Sequence, residues 1–531
     1  MKLLALCLAL AAATAHADPR IGSWFTSNSG KYARIYTTSG AETAGTFVTT
    51  WSRGQGAQSL PTYADVSEVS YSTDWVYIRT TGLASHVMGP WYLDSNKTQL
   101  FPNYPANTAT IYRIPRNPTV PASKTLTSNG AIGYFVNGVA FFDNRDAFSY
   151  SNSHAADATP MTNFSGDGIW NRNAYVNEST TFDAALAHQA GKQYHYHVQP
   201  IALRYQLGDH VTYNATTNRY SESTAAVSAH SPIIAWAADG YPVYGPYGYS
   251  TATDATSGVR RIVSGYVLRN GASGTTNLNT AGRHTLPAWA ASAQNRSATL
   301  TSTQYGPNVS TTYTLGHYLE DYDYLGDLGF VQGGGSFDLD RYNGRTCVTP
   351  EFPAGTYAYF STLDSSNAPA FPYNIGRQFY GSPAGGTVTS VTETVTINFS
   401  GGPNSTLRAT SFTRDAGTGA ANVTWSSVDG GTYKVQQCAD LASWADLQTG
   451  IASGGASSSF SESAASQGGA TQRFYRVTRT ALASYDSTGF DTSTGSAAPA
   501  SSTSTASSTT LTTTAARSIA SARKFATLRK R

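Results

Sequence analysis

Four alternating residues constrain this chain more than any other feature: Tyr194, His195, Tyr196 and His197. Successive side chains of an extended strand point to opposite faces, so His195 and His197 share one face and the two tyrosines share the other. The chain has only 10 histidines among 531 residues, which makes this pair its densest candidate for metal ligation. Two imidazoles on one face can bind a metal ion if the fold adds one or two more ligands. The alternative is the solvated polar face of an edge strand.

Two further ligands are predicted at the ends of an apolar segment downstream. His230 precedes the run Pro-Ile-Ile-Ala-Trp-Ala-Ala, and Asp239 follows it. The run is typical of a buried strand, and we predict that His230 is a third ligand. Asp239 is predicted to be a carboxylate ligand or the partner that fixes an imidazole tautomer. Histidine-rich coordination suits zinc or copper, and the sequence does not separate them.

An acidic segment offers a weaker hypothesis for calcium. Asp338, Asp340, Asn343 and Gly344 loosely resemble a calcium-binding loop. Their spacing differs from that of an EF-hand, which also ends its loop with a glutamate. A solvated or turn-forming acidic loop is the alternative, so calcium ranks below zinc and copper.

The composition predicts a mainly β protein. The chain contains 49 Gly and 34 Tyr, and only 13% of its residues are charged, so strong helix formers are few. Asn137-Gly138 lies between apolar runs and predicts a β-hairpin. Residues 182–190 are predicted to form a short helix ended by Gly191. Beyond Cys7, Cys347 and Cys438 lie in what look like different domains, so no disulfide framework is expected.

The first residues predict export. Lys2, an apolar run from Leu3 to Leu10 and the small-residue end Ala15-His16-Ala17 form a signal peptide, with cleavage after Ala17. The mature protein is therefore expected to be secreted, periplasmic or at the cell surface. No later stretch approaches the roughly 20 apolar residues of a transmembrane segment. The formal charge of +3, which falls to +2 without Lys2, argues against a nucleic-acid partner.

Several blocks of sequence together resemble the YHYH family of exported proteins. The blocks are Tyr194 to His197, His230-Ser231-Pro232, Asp239 to Gly245, Asp338 to Gly344, Thr349-Pro350-Glu351 and Gly355 to Tyr359. They occur in the right order over about residues 130–380. The resemblance implies a β-rich YHYH domain and its motif, and it supplies no reaction.

The domain organisation follows from this resemblance and from changes in composition. We predict a β-rich N-terminal region over 18–122 and the YHYH domain over 123–400. A small β-sandwich similar to fibronectin type III modules is predicted over 405–484. Residues 485–531 are rich in Ser, Thr and Ala and end in basic residues, so we predict a disordered tail there.

Two functions are compatible with these features. The first is an exported metal-binding protein, with or without catalysis, that uses His195, His197, His230 and Asp239. The second is a non-catalytic surface protein that binds carbohydrate or extracellular matrix through a tyrosine-rich loop. That loop contains Tyr241, Tyr244, Tyr247 and Tyr249 between prolines and glycines, and core packing is the alternative role for its rings.

Overall fold

The computed structural model describes most of the chain, namely residues 18–28, 31–401, 407–427, 431–454, 457–468, 472–481 and the backbone of 508–513. The predicted signal peptide, residues 1–17, lies outside the described residues. The predicted disordered tail, residues 485–531, also lies outside them apart from 508–513, which form a strand.

The predicted fold class is confirmed, because strands hold 35% of the residues and helices 10%. The described residues up to Phe399 form one compact unit, and those from Ser400 onward form a second. The domain boundaries drawn from the sequence stay predictions.

The strands of the first unit are short. The first twelve are β1 (Trp51–Arg53), β2 (Gly56–Gln58), β3 (Val66–Tyr71), β4 (Trp75–Thr80), β5 (Thr110–Pro115), β6 (Ala131–Phe135), β7 (Ala140–Phe142), β8 (Arg145–Ser151), β9 (Ala156–Asp157), β10 (Asn171–Asn173), β11 (His188–Ala190) and β12 (Gln193–Tyr196). The next twelve are β13 (Val211–Asn214), β14 (Arg219–Glu222), β15 (Ile233–Ala237), β16 (Pro242–Tyr244), β17 (Tyr247–Thr251), β18 (Asp254–Arg261), β19 (Tyr266–Leu268), β20 (Tyr322–Tyr324), β21 (Gly344–Cys347), β22 (Thr356–Phe360), β23 (Gly386–Val388) and β24 (Thr396–Ser400).

The helices are shorter still and serve as connections. They are α1 (Pro19–Gly22), α2 (Ser39–Thr43), α3 (Ala174–Glu178), α4 (Ile201–Gln206), α5 (Leu278–Ala281) and α6 (Ala288–Ala293). Among the described residues, no helix has the length and apolar character needed to cross a membrane.

The first unit is organised around an eight-stranded sheet. Its strand order is β11-β12-β7-β6-β15-β16-β22-β21. The β12–β7 and β16–β22 pairs are parallel, and the other pairs are antiparallel. The predicted hairpin at Asn137-Gly138 is confirmed, since it joins β6 to β7 and Gly138 has φ +78°. The sheet therefore places β12 and β21 at or next to its two opposite edges.

A second, five-stranded sheet has the order β23-β5-β4-β3-β24. Its strands come from two distant parts of the chain, because β3 to β5 precede the eight-stranded sheet in sequence and β23 and β24 follow it. Beside these sheets lies an aromatic core cluster that includes Trp170, Trp289, Tyr318 and Phe371.

The second unit contains two sheets. Its strands are β25 (Ala409–Arg414), β26 (Ala421–Ser426), β27 (Thr432–Cys438), β28 (Ala445–Ala452), β29 (Ser457–Glu462), β30 (Arg473–Ala481) and β31 (Ser508–Thr513). One sheet has the order β25-β26-β29 and the other β28-β27-β30-β31. Trp425, Tyr433, Val435 and Val477 are in the core of this unit. The likeness to a fibronectin type III module stays a prediction.

The two cysteines of the described residues, Cys347 and Cys438, are both free and buried. They lie on β21 and β27, one in each unit. As expected from the sequence, no disulfide joins any described residues, so packing and hydrogen bonds hold this part of the fold together.

Gly133 lets β6 and β15 approach each other at the centre of the eight-stranded sheet. A Cβ atom there would lie 2.3 Å from the carbonyl oxygen of Trp236 and 2.9 Å from the Cα of Ala237. We therefore expect Gly133→Ala to lower the free energy of unfolding by about 1–3 kcal/mol, measured by urea denaturation. Gly386→Ala on β23 is the matched control, because its Cβ would have no neighbour within 4 Å. Similar losses for both variants would contradict this account.

Candidate metal centre

Three buried histidines meet at one end of the eight-stranded sheet. The chain turns between β11 and β12 at Gly191, which has φ +59°, and the register sets His188 directly opposite His195. Directly opposed residues share a face of the sheet, and His197 follows His195 by two residues. The exposed fractions of His188, His195 and His197 are 4%, 2% and 4%. The predicted pairing of His195 with His197 on one face is thus what the structure has, with His188 beside them.

Backbone carbonyl groups fix two of the imidazole rings. The Nδ1 atom of His195 lies 3.0 Å from the carbonyl oxygen of Gln193, and that of His197 lies 2.6 Å from the carbonyl oxygen of Asp143. Asp143 reaches this position because β12 pairs in parallel with β7, which ends one residue before it. A carbonyl oxygen only accepts hydrogen bonds, so both Nδ1 atoms carry the proton.

The third ring is fixed by a hydroxyl group. The Nδ1 atom of His188 lies 2.7 Å from Thr181 Oγ1, and the Thr181 hydroxyl donates its proton to the carbonyl oxygen of Glu178 at 2.7 Å. With its proton committed there, Thr181 Oγ1 accepts from His188. All three imidazoles therefore have a protonated Nδ1, and in the neutral ring each Nε2 presents a lone pair.

The three Nε2 atoms point toward one another. The Nε2 atoms of His195 and His197 are 3.0 Å apart. One ligand nitrogen from each of the three histidines lies within 4.8 Å of the other two. The Nε2 atom of His188 is buried and has no hydrogen-bond partner among the described residues. This is the arrangement that metal-ligating histidines adopt, with Nδ1 bonded to the protein and Nε2 directed at the ion.

A carboxylate completes the cluster. Glu178 is the last residue of α3, and its Oε2 atom lies 3.3 Å from His197 Nε2 and 3.7 Å from His188 Nε2. That oxygen is buried and has no hydrogen-bond partner among the described residues. Burial, and then the nearby Asp146, raise the pKa of Glu178 well above its ordinary value, while Arg172 acts in the opposite direction. The side chain keeps 25% of its surface exposed, so it forms the outer side of the cluster.

Burial also keeps the imidazoles neutral. It is the main cause that lowers the pKa of all three histidines, to well below 6.5 for His188 and His195. The neighbouring histidines lower the pKa of His188 and His195 further, because a second positive charge nearby disfavours the first. The cluster is therefore a set of neutral nitrogen donors at physiological pH.

Phenylalanine rings surround the histidines. Phe142 stacks on His195 with ring centroids 3.9 Å apart, Phe182 lies 4.9 Å from His188, and Phe101 lies 6.0 Å from it. An apolar surround of this kind limits the access of water and lowers the local dielectric constant around a bound ion.

The opposite face of β12 has a different role. Tyr194 and Tyr196 are fully buried there, and the Tyr194 hydroxyl donates to Asp183 Oδ2 at 2.7 Å. The Tyr196 hydroxyl lies 2.8 Å from Nε2 of His86. These bonds hold the strand in place while its histidines face the cluster.

The structure does not bring the other two predicted ligands to this cluster. His230 precedes β15, which lies three strands from β12, a lateral separation of about 14 Å. Its Nδ1 atom lies 2.7 Å from the Ser231 carbonyl oxygen, and its ring packs against Tyr244 and Tyr249.

Asp239 follows β15 and has a structural set of partners. Its carboxylate accepts hydrogen bonds from the Tyr359 hydroxyl at 2.6 Å and from the backbone of Gly381 at 2.9 Å and Tyr241 at 3.2 Å. Burial raises the pKa of Asp239 to about 6. None of these partners is an imidazole of the cluster.

The residues of the calcium hypothesis are bonded to other protein groups. Asp338 binds the Arg260 guanidinium through both oxygens, at 2.6 and 2.7 Å. Asp340 accepts from the backbone of Tyr342 and Gly344 and from the Tyr357 hydroxyl. Asp340 has the turn-forming role that the sequence left open, whereas Asp338 forms an ion pair that the sequence did not predict.

The tyrosine-rich loop is packed into the protein. Tyr241, Tyr244 and Tyr247 are 9%, 0% and 4% exposed, so their ring faces are not free to stack on a sugar. The Tyr244 hydroxyl donates to Glu351 at 2.8 Å, and the Tyr247 hydroxyl donates to Glu222 at 2.8 Å. Core packing is therefore the role of these three rings.

Sequence reasoning missed His188 and Glu178. The predicted helix over 182–190 is wrong, because β11 begins at His188 and pairs with β12. In a helix, His188 would have had no strand pairing to place it opposite His195. One signal was present: Gly191-Lys192 between His188-Gln189-Ala190 and Gln193 to Tyr196 is also a two-residue hairpin turn.

Comparison with known proteins identifies the region that carries this cluster. Residues 111–372, just under half of the chain, match the family model described as YHYH protein. The resemblance predicted from the motifs is confirmed for these residues, and Glu178 and all three histidines lie within them. No curated protein and no solved structure matches the chain.

Asp183 braces the segment that leads into β11. Its Oδ1 atom accepts from the backbone of Ala185 and Ala187, and its Oδ2 atom accepts from Gly89 and from Tyr194. We expect Asp183→Ala to leave these buried donors unpaired and to lower the free energy of unfolding by roughly 3 kcal/mol or more, measured by urea denaturation.

Asp364→Ala is the matched control for that variant. Asp364 also accepts backbone hydrogen bonds within its own turn, from Ser366 and Ala368, but it is exposed. Water can replace it, so the expected loss is about 0.5–1 kcal/mol. Equal losses in the two variants would contradict the bracing role of Asp183.

Proposed function

We propose that the YHYH domain of this protein binds one transition-metal ion through the Nε2 atoms of His188, His195 and His197 and the carboxylate of Glu178. The ion is zinc or copper, and the protein that holds it is exported.

One observation supports the proposal above the others: the lone pairs of three buried imidazoles and the unpaired Oε2 atom of Glu178 lie together in one cluster. The protons of the three imidazoles are on Nδ1, and Glu178 Oε2 has no donor among the described residues. Nε2 atoms 3.0 Å apart repel each other unless a cation lies between them. Protonation is disfavoured because burial lowers the imidazole pKa values. A metal ion relieves this repulsion.

The spacing of the donors suits a small divalent ion. Zinc binds imidazole nitrogen and carboxylate oxygen at about 2.0–2.1 Å, which gives separations of about 3.3 Å between ligands of a tetrahedron. The separations of 3.0, 3.3 and 3.7 Å around His197 and Glu178 lie on both sides of that value, and the histidine donors lie within 4.8 Å of one another, so binding would draw the longest pair closer together. Copper(II) prefers a tetragonal arrangement, so zinc is the better fit of the two.

The same geometry bears on the role of the ion. Four protein ligands and an apolar surround are typical of a metal that stabilises a fold, whereas catalytic sites keep a position for water. Glu178 is less enclosed than the three histidines, since its side chain is 25% exposed. If Glu178 moved aside, the ion would present an open position on the outer side of the cluster. We assign no reaction to it.

Export is supported by the sequence of residues 1–17, which has the basic start, apolar run and small-residue end of a signal peptide.

Elemental analysis of the purified full-length protein tests the metal. We expect about one zinc or copper ion per chain after reconstitution, and a fall of several degrees in the melting temperature after chelation, since bound metal stabilises the native state by mass action. His188→Gln, His195→Gln and His197→Gln should each abolish stoichiometric metal and the effect of the chelator.

His230→Gln and His154→Gln are the controls for those variants. His230 was the third ligand suggested by the sequence, and His154 is exposed and stacks on Phe164 at 4.0 Å. Both variants should retain the metal. Full loading of His188→Gln, or loss of metal in His230→Gln, would refute the ligand set, and sub-stoichiometric zinc and copper in the unmutated protein would refute the proposal.

Glu178→Gln tests the fourth ligand separately. The variant keeps the shape of the side chain and removes its charge, so we expect the metal to be retained at stoichiometric concentrations with an affinity lower by roughly 10- to 100-fold. Competition with a chelator of known affinity measures the difference. An unchanged affinity would leave a three-histidine site and exclude Glu178.

A further inference from the structure

A polar cleft opens at the opposite edge of the eight-stranded sheet, beside β21. Its volume is about 460 Å³, and its lining includes Ser250, Thr251, Gln332, Arg345, Thr346 and Tyr380. This volume is within the range of about 300–1,000 Å³ that is usual for sites of small molecules. Six strand spacings separate β21 from β12, a distance on the order of 30 Å. The cleft is therefore a separate feature from the metal centre.

Arg345 is the unusual residue of this cleft. It is only 5% exposed, and its guanidinium makes one hydrogen bond, from Nη2 to the carbonyl oxygen of Tyr249 at 2.8 Å. Its Nε atom is buried without a hydrogen-bond partner among the described residues. The guanidinium also lies 5.1 Å from the centre of the Phe360 ring. The Cys347 thiol is a further neighbour of the guanidinium, and the Nε–H remains without an acceptor among the described residues.

No carboxylate neutralises this buried charge. Among the residues that the structure describes, none places a carboxylate oxygen within 4.0 Å of Arg345. Asp338, a carboxylate that raises the pKa of Arg345, is bound through both oxygens by Arg260. Burial raises the pKa of the neighbouring Cys347 thiol above its ordinary value, while Arg345 acts in the opposite direction.

The other acid of the cleft is also committed. Asp340 accepts hydrogen bonds from the backbone of Tyr342 at 2.9 Å and Gly344 at 3.1 Å, and from the Tyr357 hydroxyl at 2.9 Å. Lys124 adds a positive charge nearby, since its Nζ atom lies 4.6 Å from the centre of the Tyr380 ring. The lining of the cleft therefore contains two carboxylates, both engaged by other protein groups, and one guanidinium, that of Arg345.

We propose that this cleft binds a small organic anion, held by Arg345 through its carboxylate or phosphate group. A buried arginine without a counter-ion costs several kcal/mol, which an anionic ligand recovers when it binds. The planar guanidinium suits carboxylate and phosphate oxygens because it can donate two parallel hydrogen bonds. The Ser250, Thr251 and Thr346 hydroxyls and the Gln332 amide offer partners for a hydroxylated ligand such as a sugar acid.

Isothermal titration calorimetry of the full-length secreted protein tests this site with three probes: inorganic phosphate, sodium glucuronate and neutral D-glucose. We expect saturable binding of phosphate or glucuronate and none of glucose. Phosphate alone would identify the ligand class as a phosphate, and glucuronate alone as a carboxylate. Glucose binding as tight as that of the anions, or no saturable binding of either anion, would overturn the proposal.

Variants of Arg345 then connect binding to this residue. Arg345→Met should weaken anion binding by roughly 10- to 100-fold. Arg345→Lys should weaken it less, because lysine keeps the positive charge but cannot donate two parallel hydrogen bonds. The melting temperature of the unliganded Arg345→Met protein should be unchanged or higher, since the variant removes an unpaired buried charge. A structural arginine would give the opposite result, a lower melting temperature with anion binding intact.

A second pair of variants keeps Arg345 and blocks the cleft. Thr346 is exposed and lines the cleft, so Thr346→Trp should exclude the anion. Thr387→Trp on β23 is the control, because Thr387 is equally an exposed strand residue away from the cleft. Anion binding should also survive chelation of the metal, which separates this site from the proposed metal centre. Binding retained by Thr346→Trp would place the anion elsewhere and overturn the proposal.

Discussion

The alternation of side chains along β12 is the constraint on which the candidate site depends. One face of the strand directs His195 and His197 to the cluster, and the other directs Tyr194 and Tyr196 into the core. A strand that displays two imidazoles on a buried face is costly unless each ring is bonded or ligated. Here each Nδ1 has a protein partner, and the tyrosine hydroxyls on the other face are bonded to Asp183 and His86. The motif thus has two sets of hydrogen bonds. Those of the tyrosines hold the strand in place, and those of the histidine Nδ1 atoms orient the nitrogen donors.

Part of the candidate metal centre could be predicted from the sequence. What could be predicted is limited because side-chain alternation acts within one strand. Period two fixes which side chains of one strand share a face, so the His195 and His197 pair followed directly from the motif. It does not fix which strands become neighbours. His188 joined the cluster through a hairpin register, and Glu178 through the end of a short helix, and both contacts depend on the path of the chain. His230 and Asp239 have suitable chemistry, but the strand order places them three strands away.

The aromatic residues illustrate the same limit. A loop with four tyrosines among prolines and glycines is compatible with a binding platform and with core packing, because both use large rings. Burial decides between them, and it depends on what covers the loop. In this fold Tyr244 and Tyr247 pack inside and donate to Glu351 and Glu222, so their hydroxyls satisfy buried acids. The mainly β class could be predicted without knowing which strands are neighbours, since composition and turn residues alone favoured it.

The five-stranded sheet contains strands from inside and from outside the residues that match the family model. The residues that match the YHYH family begin within β5, whereas its neighbours β4 and β23 lie outside residues 111–372. A polypeptide cut to the matched residues would keep β5 but lose the strands on both of its sides, and would expose two rows of unpaired backbone groups. The matched stretch is therefore shorter than the stretch that builds this sheet, and segments on either side of it in the chain supply the other strands.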